Sequence, residues 1–161
     1  MAARAAAVCE GAAASDLSAE EDTLVADARE GRLGTIAVND SLADTLARYP
    51  AASDSGYYPG GAYYETEEAR LRGTYILTDE AETVVTGILT TRTDGIWVTG
   101  ETTRETSRSQ FGEPDMTMPL SGEAARSYLL CDGESDYYLL GERQLILHAD
   151  QNGVLYAIIL K

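Results

Sequence analysis

The chain has 161 residues, 44% hydrophobic and 24% charged, which excludes a disordered polypeptide and suffices for one domain with its own core. Its 27 acidic residues against 12 basic ones give a formal net charge of -15, a balance that disfavours nucleic acid, anionic membrane and acidic partners. Eleven of those bases are arginines and the lone lysine is Lys161, so the composition also suits a protein hydrated in concentrated salt. No apolar run reaches the length that spans a bilayer. The alanine-rich start, Met1 to Ala7, lacks the Leu- or Val-rich segment of a signal peptide, and a cytoplasmic or virion location is expected.

Residues 1–15 read as an extended arm and 16–161 as one α+β domain. A helix is expected from Ser18, with Glu21 completing a capping box, Leu24, Val25 and Ala28 on a thin apolar face, and Gly31 as its stop. Gly34 to Val38 suits a short strand. Asn39 or Asp40 then caps a second short helix that presents Leu42, Leu46 and Tyr49 and ends at Pro50.

Residues 50–66 read as a Pro/Gly/Ser/Tyr loop. From about residue 73 the pattern turns to β, over Gly73 to Thr78, Thr83 to Thr93 and Ile96 to Thr103, with Asp94-Gly95 as a hairpin turn setting Arg92 opposite Trp97. Residues 104–123 show no period and are expected to form a second long loop. Asp132-Gly133, Gly141-Glu142 and Asn152-Gly153 then punctuate four strands, at 126–131, 136–140, 143–149 and 154–160, as an antiparallel meander. In its last hairpin Leu145, Leu147 and Ala149 share a face with Tyr156, Ile158 and Leu160. The other face carries Ile146, His148, Leu155, Ala157 and Ile159. Both are apolar enough to need covering. The fold expected is thus β-dominated α+β, with two short N-terminal helices on an antiparallel meander sheet or barrel.

Chemistry-bearing residues are sparse. His148, the sole histidine, has apolar register neighbours and reads as a satisfied sheet residue. Cys9 and Cys131 belong to no metal-binding spacing and read as free thiols, Cys131 buried in a strand. The turn Asp132-Gly133-Glu134-Ser135-Asp136 holds three carboxylates but lacks the spacing of a calcium loop. No phosphate-binding glycine loop, nucleophile motif or dinucleotide motif is present. No catalytic residue, metal or cofactor is therefore expected.

What remains is contact chemistry. Ten tyrosines against one phenylalanine, Phe111, favour half-buried surfaces. Tyr57, Tyr58, Tyr63 and Tyr64 cluster in the first loop, and Arg104, Arg108, Met116 and Met118 in the second. These eight are the candidate partner-binding residues. The leading expectation is a non-catalytic assembly subunit, self-associating or docking on other structural proteins, of the capsid-decoration, neck or tail type, with a halophilic system as one setting. The alternatives are an acidic inhibitor mimicking nucleic acid, and a β-barrel binding a small ligand or Ca²⁺.

Overall fold

The computed structural model describes residues 27–33, 35–66, 73–91 and 101–161, with the backbone alone for 51–54 and 66. The arm at 1–15, most of the first expected helix, and the 92–97 hairpin lie outside the described residues. Of that helix, Asp27 to Arg29 are helical, and Gly31, at φ +83°, follows directly. Ala28 is buried, as its place on the apolar face requires.

A two-residue hairpin follows, β1 (Arg32–Leu33) with β2 (Ile36–Ala37), and then helix α1 (Leu42–Arg48). The cap of α1 is Ser41, whose hydroxyl accepts from the amide of Asp44 at 3.3 Å. Asn39 cannot serve, because it takes a left-handed turn (φ +77°) that sends its amide to the Val85 carbonyl at 2.7 Å.

Eight further strands form one antiparallel sheet: β3 (Ala51–Tyr58), β4 (Gly61–Thr66), β5 (Thr74–Thr78), β6 (Val85–Thr90), β7 (Met116–Leu120), β8 (Gly133–Leu140), β9 (Arg143–Asp150) and β10 (Leu155–Leu160). The spatial order is β3-β4-β5-β6-β10-β9-β8-β7. Each half is a meander. After β6 the chain travels to the far edge and winds back, so that β10 closes against β6 through Ile158↔Thr90, Ile159↔Leu89 and Leu160↔Ile88.

Several sequence expectations change. The expected loop at 50–66 is the β3–β4 hairpin: Tyr58 pairs with Gly61, and Pro59-Gly60 makes a two-residue turn between tyrosine-rich strands. The expected loop at 104–123 holds helix α2 (Arg104–Phe111), edge strand β7 and the start of helix α3 (Gly122–Ser127). The strand expected at 126–131 is instead the end of α3 and a turn, with Leu129 left-handed at φ +64°. Cys131 consequently stands outside any strand, free and part-exposed. Strand β8 starts early, at Gly133, where a Cβ would lie only 1.8 Å from the carbonyl oxygen of Ala149.

Alternation along the strands sorts side chains onto two faces. One row of the first face runs Tyr64–Ile76–Ile88–Leu160–Leu145–Tyr138 across six strands. It is covered by α1, the β1–β2 hairpin and α2, through Ile36, Val38, Leu42, Leu46, Tyr49 and Phe111. On the second face the matching row is Tyr75–Leu89–Ile159–Ile146–Tyr137–Met116. Here Leu129 and Leu130, after α3, supply the cover. The last hairpin pairs Leu145↔Leu160 and His148↔Ala157 as the sequence implies, but then slips by one residue at Ala149↔Leu155. This bulge exchanges two expected positions: Leu155 joins the first-face core, and Tyr156 turns towards His148, ring centroids 6.3 Å apart.

Candidate functional site

Asp136 interrupts the first face. It sits in register with Leu147, is 1% exposed, and meets two arginines one helical turn apart on α2. Arg104 donates from Nε to Oδ2 at 3.0 Å and from Nη2 to Oδ1 at 2.8 Å. Arg108 does the same at 3.0 and 2.9 Å, and the Thr117 hydroxyl donates to Oδ1 at 2.9 Å. Burial alone would push the Asp136 carboxyl up. The hydrogen bonds from Arg104, Arg108 and Thr117 outweigh it and hold the group well below the usual carboxylate range. Arg104 also donates to Glu134. Both candidate arginines therefore face inward and clip α2 onto the sheet. Capped by Thr103 and poor in apolar residues, α2 is anchored by this clip, by Phe111, and at its ends by the Arg104 amide on the Gly153 carbonyl and the Tyr138 hydroxyl on the Gly112 carbonyl.

His148 is fully buried beneath the second face. Its Nε2 lies 2.8 Å from the Cys131 carbonyl, which can only accept, so Nε2 carries the proton and Nδ1 accepts from the Ser135 hydroxyl at 2.8 Å. A serine hydroxyl on an imidazole is the start of a nucleophile–base pair. Ser135 has no solvent exposure, however, and the second ring nitrogen is held by the carbonyl. The group acts as a latch tying the 128–131 segment to the sheet. Burial is the main influence on the imidazole and pushes its pKa down, against the Cys131 hydrogen bond and Asp150.

The acidic turn commits its carboxylates to other partners. Asp132 accepts from the Gly122 amide at 2.8 Å, Glu134 faces Arg104, and Asp136 lies in the clip. Among the described residues no three acidic, His or Cys side chains are placed to hold a metal ion.

An open cleft lies on the second face, with a volume of about 180 Å³. Leu77, Leu89, Ile146 and Ile159 form its floor. Met118 and Leu120 of β7 wall one side, Tyr128 to Leu130 another, and Tyr58, Ser135, Tyr137 and Lys161 complete the lining. Of the eight candidates only Tyr58 and Met118 line it. Tyr58 is fixed by donating to the Thr78 carbonyl at 3.1 Å. Met116 stands beside the cleft on β7, 48% exposed. Tyr63 lies farther along the second face, edge-on to Tyr75 at 5.7 Å. Tyr64 belongs to the first face and donates to Glu82, a bond that pushes its phenol up to about 12. Tyr57 projects from the opposite edge strand, 79% exposed. Sequence reasoning missed Tyr128, Leu129 and Leu130 by reading them as a strand. It registered Lys161 only as a count.

Fold and site together define a β-dominated antiparallel α+β domain with one apolar cleft described on its second face. No protein family matches the sequence. Neither does any curated protein. Among solved structures the chain is similar to a DUF4309 family protein, YjgB from Bacillus subtilis, at 14% identity and a TM-score of 0.56, covering 91% of this chain and 98% of that one. That likeness concerns the fold alone. A cysteine-rich secretory protein from Staphylococcus aureus matches at 10% identity and a TM-score of 0.41, over 76% of this chain and 42% of that one. No helix among the described residues is long and apolar enough to cross a membrane.

Proposed function

We propose that this chain is a non-catalytic binding protein that holds a small apolar group in the cleft on the second face of its sheet. The cleft itself carries the reading. Packed interiors leave few voids larger than a water molecule. An apolar hollow of about 180 Å³ open to solvent is therefore a feature to be filled. Its size limits the occupant: drug-sized pockets run to roughly 300–1,000 Å³, whereas this one takes roughly six water-sized groups at ~30 Å³ each. A short hydrocarbon chain or a single ring fits.

The test is a titration of ¹⁵N-labelled protein with octanol, following amide shifts. Saturable changes at Leu77, Leu89, Leu130, Ile146 and Ile159 are expected, and Ile159→Phe, which fills the hollow, should weaken them. Shifts scattered over the surface, or no saturation, would remove the reading.

A second reading, an assembly subunit, draws on Met116 and Met118, exposed on edge strand β7, and on Tyr57 at the other edge. The two loops that motivated it in the sequence are strands and helices in the fold. A particle-forming or halophilic setting belongs to this reading, because two copies at -15 repel each other most at low salt. Light scattering after size-exclusion chromatography at low and molar salt decides it, and a monomer in both would remove it.

A further inference from the structure

The cleft is mostly apolar, with Ser135 and three tyrosines among its lining, and the one charged residue that lines it is the chain's only lysine. The Lys161 backbone is fixed by reciprocal 2.9 Å hydrogen bonds with Gln144. Its side chain lies over Gly87: a Cβ at that glycine would come within 3.4 Å of Lys161 Cγ. The bare backbone of Gly87 thus provides the bed for the lysine stem, and the ammonium ends 5.8 Å from the centre of the Tyr128 ring.

Among the described basic residues Lys161 shares the lack of a carboxylate partner with Arg29 and Arg143, but of the three it alone lines the cleft. Arg32, Arg48, Arg104, Arg108 and Arg126 each stand beside a carboxylate. In a chain with 27 acidic residues, Lys161 pairs with none among the described residues. Lys161 is exposed to solvent, and the protein packed beside its ammonium pushes its pKa down with no carboxylate opposing that push. A cation at the edge of an apolar cleft, beside an aromatic face and without a carboxylate, leaves a place for an anionic partner.

We propose that the cleft binds a medium-chain monocarboxylate, its tail on Leu77, Leu89, Ile146 and Ile159 and its carboxylate on the Lys161 ammonium. This rests on the binding role proposed above and names its ligand. One cation calls for one negative charge, and the chain's overall acidity selects against polyanions. The volume matches a tail of roughly six methylenes if each takes about the space of a water molecule, ~30 Å³.

The sole lysine makes the experiment clean. Protein labelled with ¹³C at lysine Cε gives one side-chain signal, read while octanoate or octanol is added at neutral pH. Octanoate should bind at least ten-fold more tightly than octanol, and its binding should raise the pH midpoint of the Lys161 signal. Lys161→Met should reduce octanoate affinity to that of octanol while leaving octanol binding in place, and Lys161→Arg should restore the preference. Acetylation of the folded wild-type protein checks the same charge without a substitution. Equal affinities, or an octanoate preference that survives Lys161→Met and acetylation, would overturn the carboxylate assignment while leaving the apolar cleft standing. Binding of neither ligand would remove both.

Discussion

The two faces of the sheet are built from neighbouring residues of the same strands, and they are closed by different means. The first face buries a continuous row from Ile76 to Tyr138 under α1, the β1–β2 hairpin and α2. Its buried carboxylate, Asp136, is neutralised by two arginines. The second face has an equally apolar floor in Leu89, Ile146 and Ile159, but its described cover is one turn of chain after α3, held down by His148. An apolar strand face requires covering without specifying what covers it. On the first face the cover is complete enough to be core; on the second it leaves a hollow.

The largest expected effect would break the first face. Asp136→Ala strands Arg104 and Arg108 against the sheet and should cost about 3–5 kcal/mol in urea unfolding, the usual penalty for removing one side of a buried ion pair. A loss near zero would mean that Phe111 and the hydrogen bonds at the two ends of α2 hold it without the clip. Leu145→Ala, fully buried in the same face, should cost about 2–5 kcal/mol. By contrast Met118→Glu, on the exposed wall of the cleft, should change stability by no more than ~0.5 kcal/mol yet abolish octanol binding. Destabilisation comparable to Leu145→Ala would show that the cleft is ordinary core.

The smallest effect sharpens the second face. The folded-state pKa of His148 is lowered, so between that value and the ordinary value near 6.5 the unfolded chain binds more protons than the folded one. Stability should accordingly fall as pH drops from 7 through that window, with faster amide exchange at 128–131 than in α2. Asp136 does not interfere there, because its lowered pKa keeps its contribution intact until far more acidic pH. Identical urea midpoints at pH 7 and pH 5 would mean that the latch does not report on protonation.

Much of the sheet was legible. Gly141-Glu142 and Asn152-Gly153 place the last two hairpins, and the pairing of Leu145 with Leu160 follows from turn chemistry and alternation. The tyrosine-rich hairpin was not, because Ser, Asp, Gly and Pro dilute the β signal over 50–66. Strand β7 contains Pro119, which a strand tolerates here only because β7 is an edge. Helix α2 has no apolar period to read, since its main anchor is ionic. Of the candidate site, Tyr58 and Met118 were named for their chemistry as contact residues, while the segment that roofs the cleft was taken for a strand.

By itself the sequence determined the β-dominated α+β class, the acid excess, the C-terminal hairpins and the apolar character of both faces of β9 and β10. These depend on residues a few positions apart, where alternation and turn geometry act locally. Only the tertiary structure decided that β10 closes against β6, that Arg104 reaches an aspartate 32 residues away, and that Lys161 comes to rest over Gly87 without a carboxylate. Those juxtapositions follow from strand order across the sheet, which no local pattern encodes.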